Sequence, residues 1–147
     1  MGSGYRRICL IHGGALGDFV LALRVVQGLK IRFPGAMVEV VGRLRTVSLG
    51  VGRGGVDGVF SLDRPGLHTF FAETGALNAA VCRHFVQFDL VVDMLGGVGG
   101  VLGRRLRQAC PDATVVSLET KPRAGWAGHI TDQWLADQIG RASCRER

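Results

Sequence analysis

Residues 12–18 read HGGALGD and lie between two apolar runs, ICLI (8–11) and FVLAL (19–23). Glycine costs backbone entropy, so three of them at such a junction must serve either a positive φ or a close approach to the main chain. The one acidic residue is Asp18. A carboxylate at a helix start is favoured as the anion by the helix dipole and can take a proton from a bound hydroxyl. The plain structural alternative is that Asp18 caps the helix. Two other segments could do chemistry. In GRLR (42–45), Arg43 and Arg45 can meet phosphate groups, and in DMLGGVGG (93–100), Asp93 ends an apolar run beside Gly96 and its neighbours.

Two phosphate-binding motifs compete for the first segment. A Walker A loop requires G-x-x-x-x-G-K-[ST], and no Lys-Ser or Lys-Thr follows. A dinucleotide fingerprint G-x-G-x-x-G places His12 at its first glycine, with Arg43 left to meet a 2′-phosphate of NADP. It also puts Asp18 where a pyrophosphate would sit, so two anions would share one helix dipole. An NADP-binding oxidoreductase domain and a non-catalytic glycan- or nucleotide-binding module stay open as alternatives. The four histidines show neither H-x-x-x-H nor H-E-x-x-H spacing, so no metal site is expected. Cys9, Cys82, Cys110 and Cys144 form no C-x-x-C pair and are expected as free thiols.

These segments need a scaffold, and the apolar pattern supplies one. Strands are expected at 6–12, 37–42, 59–62, 88–95 (as the central strand) and 113–118. Helices are expected over 18–33, 46–52, 65–85 with a break at Gly75, 101–109 and 129–140. Strands alternating with helices imply an α/β fold, a Rossmann-like parallel sheet with helices on both faces. Ligands of such sheets bind at the carboxyl ends of the strands, where HGGALGD, GRLR and DMLGGVGG all fall. The 147 residues suffice for one domain with a real core. A net charge of +6 favours anionic partners. Arg104, Arg105 and Arg107 should form a basic, exposed helix face, suited to anionic lipid or simply solvated. Aromatics are not interleaved with these arginines, so nucleic acid is not expected as a partner. His12 and Asp18 interrupt the apolar start, which argues against a signal peptide, and no apolar run is long enough to span a membrane.

The stretch from HGGALGD through FPGAMVEVVGR resembles the opening of the ADP-heptose:lipopolysaccharide heptosyltransferases, glycosyltransferase family nine. VDGVFSLD (56–63), FDLVVDMLGG (88–97) and HITDQWLADQIG (129–140) extend the resemblance over roughly residues 6–140. It implies the N-terminal half of a GT-B enzyme, in which two Rossmann-like domains face each other across a cleft. The first holds the acceptor, the second binds the nucleotide-sugar, and transfer inverts the anomeric carbon without a metal or resident cofactor. On this resemblance Asp18 matches the general base. Gly13, Gly14, Ala15, Leu16 and Gly17 shape the acceptor pocket, with Arg43, Asp93 and Gly96 as further substrate contacts. The donor would be ADP-heptose or a related nucleotide-sugar and the acceptor a glycolipid of the lipopolysaccharide core. The site of action would be cytoplasmic, with peripheral contact at the inner face of the bacterial inner membrane. His12 and Gly13 stand where many members carry Arg or Ser-type residues, and Arg24 where Pro is common. A C-terminal donor-binding domain would be missing, leaving this half inactive alone. RASCRER (141–147) breaks the helical pattern and resembles translated adapter sequence, so the expectation is a domain over 1–140 and a non-native tail over 141–147.

Overall fold

The computed structural model describes residues 4–52 and 54–145, with backbone alone over 138–145. Five strands form one parallel sheet in the order β3-β2-β1-β4-β5. They are β1 (Arg7–Ile11), β2 (Met37–Gly42), β3 (Gly58–Ser61), β4 (Leu90–Asp93) and β5 (Thr114–Ser117). β1 is the central strand, paired on one side with β2 and on the other with β4. The central place expected for 88–95 is thus taken by β1. The most apolar strand sequence need not be the middle one, because β4 and β1 are each buried on both faces.

Alternate residues of each strand feed two cores. Ile8, Leu10, Val38, Val40, Leu90 and Val92 pack under α1 (Leu16–Arg32) through Phe19, Val25, Val26 and Leu29. Trp134 of α5 (Ile130–Arg145) joins the same core. Cys9, Ile11, Val41 and Val91 point the other way, against Phe85 of α3 (Ala79–Phe85) and Leu102 and Leu106 of α4 (Val101–Ala109). The expected α/β sheet with helices on both faces is therefore present. Burial pushes the Cys9 thiol up and that of Cys110 to about 11, so both act as small apolar side chains.

Several expected elements are displaced. The helix expected at 46–52 begins earlier, as α2 (Leu44–Val47), because the Arg43 carbonyl already accepts from the amides of Thr46 and Val47; a 3₁₀ turn, Ser48–Gly50, completes it. The long helix expected over 65–85 is a 3₁₀ turn at Leu67–Phe71, then an irregular stretch, then α3. Gly66 at φ 92° and Gly75 at φ 98° take left-handed backbone that no helix accommodates. Asn78 opens α3 instead, its Oδ1 accepting from the Val81 amide. As backbone, α5 continues to Arg145 and not to 140. Ala and Arg are strong helix formers, so 141–145 extend the helix where a break was expected. Glu146, Arg147 and the side chains from 138 onward lie outside the described residues.

The basic face expected on α4 divides. Arg104 and Arg107 are exposed, but Arg105 is 4% exposed. Its guanidinium donates to the carbonyls of Thr69 (3.2 Å) and Gly75 (2.7 Å), tying the 3₁₀ turn and the irregular stretch to α4. Removing it strands two carbonyls and a cavity. Arg105→Ala should lower the unfolding free energy by about 2–3 kcal/mol, whereas Arg104→Ala should stay within about 0.5 kcal/mol. Urea denaturation of the two variants measures the contrast.

Candidate functional site

The chain builds β2 and β3 on one side of β1, then crosses to build β4 and β5 on the other. Parallel sheets open a crevice at such a switch, outside the carboxyl ends of the strands. A cleft of about 460 Å³ lies there. The loop after β1 lines it with His12, Gly13 and Gly14, and the loop after β4 with Met94 and Leu95. Asp18 and Leu21 reach it from α1, Ile130 and Trp134 from α5, and Thr120 and Lys121 from the connection after β5.

Asp18 is the third residue of α1, because the helix starts at Leu16 and its N-cap is Ala15. Ala15 has no side chain to cap with, and the Asp18 carboxylate makes no hydrogen bond among the described residues. The capping role is therefore not what holds Asp18. Its side chain is exposed and lines the cleft, a placement that lets it receive a proton from a bound hydroxyl.

None of Gly13, Gly14 and Gly17 has a positive φ. What Gly13 and Gly14 provide is room. A β-carbon on Gly13 would come within 2.5 Å of the Leu95 side chain, which belongs to the opposite loop. A β-carbon on Gly14 would lie 3.0 Å from both His12 Cε1 and Asp18 Cβ. Gly14 thus lets a carboxylate and an imidazole share one small space. Gly17, in contrast, faces open space.

The remaining sequence candidates are spread apart. Ala15, Leu16 and Gly17 are exposed on the first turn of α1, outside the cleft lining. Arg43 is exposed after β2, on the far side of β1 from β4, and does not line the cleft either. Asp93 is fully buried. Its Oδ1 accepts from the amides of Leu95 (2.8 Å) and Gly96 (2.7 Å), and its Oδ2 accepts from Ser117 Oγ (3.0 Å). This carboxylate folds the loop after β4 and joins it to β5, leaving Leu95 to face the cleft. Asp93→Ala would leave the Leu95 and Gly96 amides without their acceptor and break the link to Ser117, and should cost about 3 kcal/mol or more of stability, read as a fall in thermal midpoint. Asp93→Asn, which still offers an acceptor to the two amides, should cost less.

The strap at 119–123 connects β5 towards α5. Gln133, fully buried in α5, accepts from the Arg123 amide (2.8 Å) and donates to the Lys121 carbonyl (3.2 Å). Trp134 Nε1 donates to the Glu119 carbonyl (2.7 Å). The strap is thus fixed, and it brings the Lys121 cation to the cleft with no ion pair among the described residues. Only the later placement of α5 over this loop could have revealed it. No group of three His, Cys, Asp or Glu side chains is arranged to hold a metal ion among the described residues.

No protein-family profile matches the sequence, and no curated protein matches it. The comparison of folds is more informative. A crystal structure of a glycosyltransferase family 9 protein from Veillonella parvula DSM 2008 superposes with a TM-score of 0.63 at 16% identity, over 93% of this chain. The fold resembles half of that structure. The chain spans 42% of its length. An FMN-dependent cysteine decarboxylase from thioviridamide biosynthesis (15% identity, TM-score 0.44, 95% of this chain and 86% of that one) overlaps too loosely to count as the same fold. The same holds for a probable oxidoreductase from Mycobacterium abscessus (15% identity, TM-score 0.41, 97% and 42%).

His12 is 5% exposed, and burial holds its imidazole below the ordinary 6.5, with the Asp18 carboxylate pulling partly the other way. The folded state therefore binds this proton less tightly than the unfolded chain. The associated stability is complete above about pH 6.5 and is lost as pH falls through the lower folded-state value. His12→Phe abolishes that dependence. The stability of the parent chain relative to His12→Phe should fall as the pH of parallel urea titrations is lowered from about 7.5 to about 5.5.

Proposed function

We propose that this chain is the acceptor-binding half of an inverting glycosyltransferase. The observation that carries the reading is the Asp18 carboxylate, exposed, uncommitted to any cap and lining the cleft at the switch point. The resemblance of HGGALGD to the family's opening and the fold shared with half of a family 9 structure support it. In this reading an acceptor hydroxyl lies against Asp18. Its oxygen attacks the anomeric carbon of a nucleotide-sugar as its proton passes to the carboxylate, and the nucleoside diphosphate leaves with the bonding electron pair. The sugar is a heptose or a close relative, the acceptor a glycolipid of the lipopolysaccharide core met at a membrane surface. Lys121 supplies a positive charge for an anionic group on that acceptor.

The leaving diphosphate needs its charge held by hydrogen-bond donors and cations. Those belong to a donor-binding half that this domain, read as residues 1–140, does not include, so the half alone turns nothing over. The tail from 141 is read as dispensable.

The test is Asp18→Asn in the two-domain enzyme. Asn is nearly isosteric and no cap is lost, so the fold and KM should change little, while kcat falls by about 10²–10⁴. A variant with kcat within a few-fold of the parent would remove Asp18 from the chemistry.

A further inference from the structure

His12 directly follows β1 and lines the cleft, its ring tilted against Phe19 at a centroid distance of 5.6 Å. Its Nδ1 is sealed from solvent and has no hydrogen-bond partner among the described residues. The other nitrogen, Nε2, also bonds to nothing among the described residues, yet it is not sealed. A buried N–H without a partner is costlier than a buried lone pair, because a donor that water once satisfied is abandoned whole. The neutral ring of this cleft-lining residue therefore carries its proton on Nε2, the nitrogen that is not sealed. Burial opposes the cationic form, so His12 presents one N–H and no charge.

The point that a Gly14 β-carbon would occupy lies 3.0 Å from His12 Cε1 and 3.2 Å from Asp18 Oδ2. The imidazole, through the ring carbon that bonds to Nε2, and the carboxylate oxygen thus flank the same few ångströms. Two hydroxyls on neighbouring carbons of a sugar fit such a pair, one giving its proton to the carboxylate and the other accepting from the imidazole. A single hydroxyl held by both would lose nucleophilicity to the His12 donor, so the two contacts suit two oxygens.

We propose that His12 is a specificity-determining residue of the acceptor site, its Nε2–H donating to the hydroxyl adjacent to the one that Asp18 deprotonates, so that the site takes a vicinal diol. This rests on the glycosyltransferase reading. It adds a requirement which that reading does not contain, namely a second hydroxyl beside the nucleophile.

The test uses the 147-residue chain and nuclear magnetic resonance of its histidine rings. In the free protein at pH 7, His12 should be neutral with its proton on Nε2. A ring protonated on Nδ1, or on both nitrogens, overturns the proposal whatever the enzyme does. Methyl α-mannoside, whose ring hydroxyls are vicinal, is then titrated against the parent chain, His12→Phe and His12→Gln. Phe keeps the ring volume against Phe19, and Gln keeps a donor near the Nε2 position. Binding should shift the cleft resonances and the Nε2–H signal, weaken about tenfold in His12→Phe, and recover to within about threefold of the parent in His12→Gln. Equal affinity in parent and His12→Phe, with the cleft still shifting, overturns the role of His12 and leaves that of Asp18 standing. No shift of the cleft in the parent chain counts against the glycoside site itself, and the proposal falls with it. Unchanged circular dichroism of the variants keeps the affinities comparable.

Discussion

Everything at the functional edge follows from β1 being paired on both sides. Its amides and carbonyls are consumed by β2 and β4, and its side chains alternate into two cores, so the strand has no freedom to shift. The pairing extends one residue past each strand end. The His12 amide donates to the Val41 carbonyl and the Met94 amide to the Ile11 carbonyl. The chain therefore leaves β1 at a fixed point between its neighbours and has to enter α1 within four residues. That short, anchored passage places both His12 and Asp18 in the lining of the cleft.

Spacing then converts position into chemistry. Two loops from opposite sides of the switch meet at Gly13 and Leu95, and a second close approach, around Gly14, brings an imidazole and a carboxylate together. The loop after β4 keeps its shape because a buried carboxylate, Asp93, gathers its amides, while Gly97 and Gly99, both at φ 75°, supply the left-handed turns. The glycines of the two loops thus do different work. After β1, Gly13 and Gly14 give space; after β4, Gly97 and Gly99 give conformation, while Gly96 and Gly100 again give space.

Much of this was legible in the residues. Runs such as MVEVVG and FDLVVDML read as buried strands because both faces are covered, and alternation with helices implied the parallel sheet. The importance of HGGALGD followed from its glycines, although their purpose did not, since φ is invisible in a composition. Strand order was not readable either, because it depends on which face each crossover packs against. Arg105 was misplaced for a related reason: periodicity puts it on a basic face, but the 3₁₀ turn and Gly75 wrap over that face and offer it carbonyls. Lys121 and Thr120 gained meaning only from Gln133 and Trp134, ten or more positions later in the chain.

The anchorage of that strap has a consequence for how such a site can diversify. Gln133 and Trp134 grip it through the amide of Arg123 and the carbonyls of Lys121 and Glu119, all main-chain atoms. A grip on backbone does not read side chains. Thr120 and Lys121 can be exchanged for other residues while the strap keeps its course over the cleft. The cleft lining at these two positions is thus open to drift in charge and size without any rebuilding of the fold.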